Sequence, residues 1–239
     1  MTLSPKALEE LKNSAKNENL SGKEAYEKLG NPLKSEARES LMKEQGHLCA
    51  YCMRRIPDQR ITPHDVDLSD IYIEHVKSRS DNSIPGYMAL EYNNLLAVCS
   101  GNEKAPETNG RRKKRFLACD KKRGNAELTI NPLDAKTIET IYYSANGEIL
   151  STDEKISKDI NIFLNLNCNS DAVTLPQNRK EVLDEVQYAV TTSGKDILDS
   201  CREHLKIFEE ETDPKTPYIG IAIWWLKSTI NELSGLRAV

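Results

Sequence analysis

The sequence predicts an α+β fold in which helical regions flank a strand-bearing, cysteine-rich centre. Three observations carry that reading. Helical periodicity is strong in residues 1–47 and returns in 132–239. Across 48–131 it fades, and short apolar runs of strand length take its place. Four of the six cysteines and three of the four histidines lie between His47 and Asp120.

Taken in order, Ser4 followed by Pro5 is an N-cap with proline at the first helical position. Leu3 and Leu8 fall at the two ends of a hydrophobic staple, and Leu8, Leu11 and Ala15 share a face. Ser35 is expected to cap a second helix through Ala37, Leu41 and Met42 to about Gln45. Between these helices Gly22 and Gly30-Asn31-Pro32 carry turn signals. In the centre, Asp70–Glu74 and Asn94–Val98 are strand candidates, joined by a loop-like stretch from Ser78 to Tyr87. Beyond it, Ile138–Ser144, Asn146-Gly147 and Glu148–Leu150 read as a hairpin, since Asn-Gly suits a type I′ turn. Val182, Leu183, Val186, Ala189 and Val190 mark one helix. Ile197, Cys201, Leu205 and Phe208 mark another. A last helix carries Ile219, Ile223, Leu226 and Ile230, with Trp224 and Trp225 beside them, and reads as helical support with a secondary potential for partner docking. No low-complexity linker separates the three parts, so one composite globule is expected.

Composition narrows the function classes. Hydrophobic residues make up 38% and charged residues 29% of the 239, but 33 basic and 37 acidic residues leave a net charge of only −4. That balance argues against wholesale disorder and excludes a polycation, so any nucleic-acid surface must be local. The N-terminus lacks a signal-peptide pattern, and the apolar run at Ile219–Leu226 is far short of the ~20 residues that span a bilayer. A soluble, cytoplasmic protein without membrane contact is expected. Six cysteines in that compartment point to free thiols or metal ligands rather than to disulfides.

Cys49-Ala-Tyr-Cys52 is a Cys-x-x-Cys pair, a spacing that lets a tight knuckle aim two thiolates at one ion. Zinc wants four such ligands, and Cys99 and Cys119 are the second pair. The competing reading, a redox pair, needs a thioredoxin-like setting that is missing. Cys168 and Cys201 read as buried structural thiols. Glu74-His75 ends the first strand candidate, Asn94 opens the second, and Cys119-Asp120 opens a short helix. Taken singly, each of these is an ordinary residue.

Together, and in this order, they resemble the HNH nuclease family. Leu48-Cys-Ala-Tyr-Cys52, Ile73-Glu-His75, Asn94-Leu-Leu96 and Cys119-Asp-Lys-Lys-Arg-Gly124 are most similar to its PtuB members, found in Septu-type and retron-linked anti-phage systems. The resemblance covers roughly residues 40–135. It implies a ββα-metal core, treble-clef-like and zinc-bound, between the helical arm 1–47 and the C-terminal region 132–239. It implies structural zinc on Cys49, Cys52, Cys99 and Cys119, and one catalytic magnesium or manganese. His75 then matches the general base, Glu74 a ligand of the catalytic ion, and Asn94 the residue that fixes the loop orienting His75. Many relatives carry His or Asn on the final helix as a second ligand. This chain departs there, and Asp120 takes the place because a charged lysine cannot ligate; Asn102 and Asn125 are alternatives. The activity implied is that of a metal-dependent endonuclease, the toxic effector of a defence complex, cutting DNA or structured RNA such as tRNA. The implied partners are a PtuA-like ATPase and, in retron systems, the reverse transcriptase with its multicopy single-stranded DNA. The rival is a non-catalytic, zinc-bound nucleic-acid or protein-binding module.

A local basic surface accompanies these motifs. Arg111, Arg112, Lys113, Lys114 and Arg115 with Lys121, Lys122 and Arg123 place eight positive charges in thirteen residues. Residues 43–125 hold 15 basic and 11 acidic side chains, a balance of +4 in a chain of net −4. A lone basic run is usually a solvated loop. Inside the expected core it is assigned to phosphate binding, with Arg54, Arg55 and Lys77 as additional cations.

Overall fold

The computed structural model describes residues 5–57, 71–103, 116–170 and 174–235. They form an α+β structure, mostly helical, with two small two-stranded sheets.

Helix α1 spans Pro5–Asn17, starting at the expected proline. Helix α2, Gly22–Glu27, stands where only turn signals were expected. Ser21 and Glu24 close a capping box there: the Glu24 carboxylate accepts from the Ser21 N–H at 2.9 Å, and the Ser21 hydroxyl accepts from the Glu24 N–H. Helix α3, Gly30–Glu44, begins at Gly30 rather than at Ser35. Gly30 turns the chain at φ +64° and Pro32 fits the first turn, so Ser35 is interior. Leu8, Ala15, Ala25, Tyr26, Leu29 and Ala37 pack with Ala89 and Leu90 into a small core, which fixes these three helices onto the centre of the chain.

Strand β1, Tyr72–His75, pairs antiparallel with β2, Leu95–Val98, setting Glu74 opposite Leu96 and His75 opposite Leu95. All four residues of β2 are buried, in keeping with its unbroken apolar sequence. Two 3-10 turns, Gly86–Leu90 and Tyr92–Asn94, lie between the strands. The short helix α4, Cys119–Arg123, follows.

Helix α5, Ala135–Ile138, takes up Ile138, the first residue of the expected hairpin strand, and β3 is shorter than expected, Ile141–Tyr143, against β4, Ile149–Ser151. The turn is not type I′. The Gly147 N–H donates to the Ser144 carbonyl and the Ser144 N–H to the Glu148 carbonyl, with Gly147 at φ +79°. This is the three-residue loop that ends on a left-handed glycine. Its reason is tertiary: a Cβ on Gly147 would lie 2.0 Å from the Pro176 carbonyl oxygen, and buried Arg179 donates to the Gly147 carbonyl.

Helix α6, Glu154–Lys158, runs into a π turn at Asp159–Phe163. Helices α7 (Leu175–Thr192), α8 (Ile197–Glu210) and α9 (Ile219–Leu233) then pack through Val186, Val190, Cys201, Ala222 and Leu226. The largest core joins the cysteines, both strand pairs, the π turn and the start of α7. Trp224 and Trp225 pack against that core half-buried, and the Trp224 ring lies 5.8 Å from that of Tyr143. Among the described residues no helix is long and apolar enough to cross a membrane.

Candidate functional site

The four cysteines named from the sequence meet at one point. A bridge between Leu48 and Arg55 closes the loop that carries Cys49 and Cys52. Within it the Met53 N–H donates to the Cys49 carbonyl, and Met53 takes φ +58° to complete the knuckle. Cys99 leaves the end of β2, where its sulfur accepts from the Gly101 N–H at 3.4 Å. Cys119 opens α4, its N–H bound to the Leu164 carbonyl at 2.8 Å, so the π-turn region positions the fourth thiol. The four sulfurs lie within 4.8 Å of one another, and all four residues are buried. Cys49–Cys119, Cys52–Cys99 and Cys99–Cys119 are separated by 3.9, 3.8 and 3.7 Å.

Those separations are far too long for disulfides. A tetrahedral ion with zinc–sulfur bonds of about 2.3 Å would space its ligands by about 3.8 Å. The donor set and its spacing therefore fit a zinc-like ion. Burial pushes the Cys49 thiol up. At Cys52 burial acts the same way but is outweighed by hydrogen bonds from the neighbouring thiols and by the Arg54 charge, which favour a thiolate. Arg54 is itself buried beside the cluster, its Nε without a hydrogen bond.

Glu74 lies at the β1 end nearest α4, buried, and its carboxylate pairs with the Arg123 guanidinium. Arg123 is only 5% exposed. It donates also to the Tyr51 hydroxyl (3.1 Å) and to the carbonyls of His75 (2.7 Å), Val76 (2.9 Å) and Ala126 (2.8 Å). Arg123 thus belongs to the interior, unlike the surface cations with which the sequence grouped it. Asp120, one turn before it, brings a second carboxyl group against Glu74. Burial first, and then the Asp120 charge, push the Glu74 carboxyl up to about 7 against the opposing pull of Arg123.

His75 turns the other way. Its Nε2 lies 3.1 Å from the Ala89 carbonyl, and its ring meets that of Tyr26 edge-on, with centroids 4.9 Å apart. A carbonyl only accepts, so Nε2 carries the proton and Nδ1 keeps its lone pair. Burial lowers the His75 pKa to about 4, and the Arg79 and Arg123 charges act in the same direction. Asn94 ties the surroundings together. Its side chain accepts from the Lys77 N–H (2.8 Å) and donates to the carbonyls of Lys77 (3.2 Å) and Met88 (3.0 Å). One end of that link is the turn after His75, and the other is the 3-10 turn that presents Ala89.

The remaining sequence candidates fall elsewhere. Arg111–Arg115 lie outside the described residues. Lys121 pairs with Glu103 at 3.1 Å and covers the Tyr72 ring, while Lys122 sits beside it on α4, half-buried. Asn102 is buried and donates to the Phe116 carbonyl, bracing the connection between Cys99 and Cys119; Asn125 is exposed. Sequence reasoning missed Tyr51, Tyr26 and the Ala89 carbonyl. Tyr51 lies between Cys49 and Cys52, but no local pattern marks the other two. A scan against protein-family models finds no match, and a search of curated proteins finds no relative.

Proposed function

We propose that this chain is a metal-dependent endonuclease of the HNH type that hydrolyses phosphodiester bonds. The observation that carries the reading is the His75 tautomer. The Ala89 carbonyl accepts from Nε2–H, Asn94 fixes both turns around the ring, and Nδ1 keeps its lone pair, while the preceding residue Glu74 meets Asp120 on the other face of β1. The ribbon of β1 and β2 followed by α4 supports a ββα-metal core, and the four thiols support a structural zinc beneath it.

In this reading His75, neutral at pH 7, takes the proton from the attacking water. Glu74 and Asp120 would hold the catalytic divalent ion, their two oxygen donors suiting magnesium or manganese. When bound, that ion supplies charge neutralisation at the phosphate and the leaving oxygen. Arg123 and Tyr51 orient the Glu74 carboxylate by binding Oε1. The motif resemblance supports the wider assignment: a defence effector acting with a PtuA-like ATPase and, in retron systems, a reverse transcriptase and its DNA product. The substrate is DNA or structured RNA such as tRNA.

A second reading, a non-catalytic zinc-bound binding module, is favoured by the burial of Glu74 and His75, at 8% and 5% exposure. Incubation of the chain, alone and with its partner ATPase, with plasmid DNA and total RNA separates the two. The nuclease reading expects new ends that depend on magnesium or manganese and vanish on chelation. The module reading expects none.

A further inference from the structure

The face of His75 away from the carboxylates is bounded by the N-terminal helices, and the cations there are unexplained. Tyr26, on α2, sets its ring against His75. Over that same ring lie the Lys34 ammonium at 4.7 Å and the Arg79 guanidinium at 4.8 Å. Arg38, one turn beyond Lys34 on α3, adds its charge at the Tyr26 hydroxyl, and its Nε is buried without a hydrogen bond. Among the described residues none of these three cations pairs with a carboxylate, and they are the one group of three gathered around a single ring there.

The cluster is held by backbone packing. A Cβ on Gly22 would lie 2.5 Å from the Arg79 carbonyl oxygen, and one on Gly86 would lie 1.9 Å from that of Leu20. Only glycines allow α2 to sit this close to the turns around His75. Lys34 and Arg38 come from one side of that junction and Arg79 from the other, so docking the arm assembles the group. Among the described residues no anion faces these like charges, and one aromatic ring offsets little of their mutual repulsion. A bound anion removes the repulsion. The same Tyr26 ring that these cations share meets His75 edge-on.

We propose that Lys34, Arg38 and Arg79 around Tyr26 form a phosphate-binding subsite, which holds a backbone phosphate of the nucleic-acid substrate beside His75. The inference rests on the nuclease reading and makes the N-terminal helices one wall of the substrate cleft. Recognition is of phosphate charge, so it is independent of base sequence.

The test is binding, which needs no cleavage. Labelled duplex DNA, single-stranded DNA and RNA oligonucleotides are titrated with the full chain without added magnesium or manganese, at several salt concentrations. Lys34→Gln, Arg79→Gln and the double variant are compared with wild type, with zinc content and Tm measured on each. Every neutralised contact should reduce the slope of log K against log salt by about 0.9 on duplex, or about 0.7 on single strands. Affinity should fall several-fold per cation, and Lys34→Arg and Arg79→Lys should restore it. A double variant that folds, keeps its zinc and binds with wild-type affinity and slope overturns the subsite. So does a wild-type chain that binds none of the three oligonucleotides. Binding lost in the variants while no preparation cleaves would keep the subsite and remove the nuclease reading; cleavage with unchanged binding would do the reverse.

Discussion

Replacing Arg123 by Met tests the interior of the proposed site most severely. Wild-type Arg123 donates to Glu74, to the Tyr51 hydroxyl and to the carbonyls of His75, Val76 and Ala126, all from a position 5% exposed. Methionine fills much of the volume and makes none of these bonds. The Glu74 carboxylate would then face Asp120 with no cation, and three carbonyls would lose their donor. Breaking a buried pair by removing one partner costs about 3–5 kcal/mol. In a chain of this length that lowers Tm by roughly 10 °C. A solvated cation in the same sequence position would cost under about 0.5 kcal/mol. The assay is denaturant unfolding at fixed zinc, with Glu74→Gln and the double variant completing a cycle. Because the neutral amide needs no counter-charge, the double variant should be more stable than the sum of the single losses predicts, by at least about 1 kcal/mol. Arg123→Met within about 0.5 kcal/mol of wild type, or strict additivity in the cycle, would refute the buried clamp.

Cys52→Ser should lower bound zinc from about one ion per chain and destabilise the fold, which elemental analysis and thermal unfolding will read together; full retention in Cys49→Ser/Cys52→Ser would remove the metal assignment. Asn94→Ala deletes three bonds to the turns at Lys77 and Met88. It should cost about 1–3 kcal/mol and reduce cleavage while zinc is kept. Gly86→Ala drives a Cβ into the backbone at Leu20–Gly22, so the N-terminal helices should loosen; limited proteolysis should then release them faster than in wild type.

What the sequence disclosed follows the range of the forces involved. The cysteines were legible because four soft ligands in a chain without a disulfide pattern have few other uses, and their sulfurs do converge. The strands were legible because the apolar run Leu95–Val98 is buried on both faces, and β1 and β2 lie within two residues of their expected limits. Helix α2 was missed although Ser21-Gly-Lys-Glu24 spells a capping box; the glycine drew the reading toward a turn. The hairpin turn type was beyond local reasoning, because the press of Pro176 on Gly147 comes from a helix distant in sequence. Arg123 looked like one more member of a basic run. Only the fold shows that its position on α4 aims it at Glu74, while Lys121 pairs at the surface with Glu103. Tyr26 carried no signal at all, since its meaning depends on His75, Lys34 and Arg79 arriving from three separate elements.

If His75 is the general base of the proposed nuclease, His75→Ala removes the group that accepts the proton. The substitution leaves the four thiols, the Arg123 clamp and the cations around Tyr26 in place. The variant should fold, hold about one zinc per chain and bind nucleic acid as wild type does. Its magnesium-dependent cleavage should fall by about 10²–10⁴-fold, the usual contribution of a positioned base. Cleavage by His75→Ala at the wild-type rate, under conditions where the wild-type chain cuts, would rule out His75 as the base.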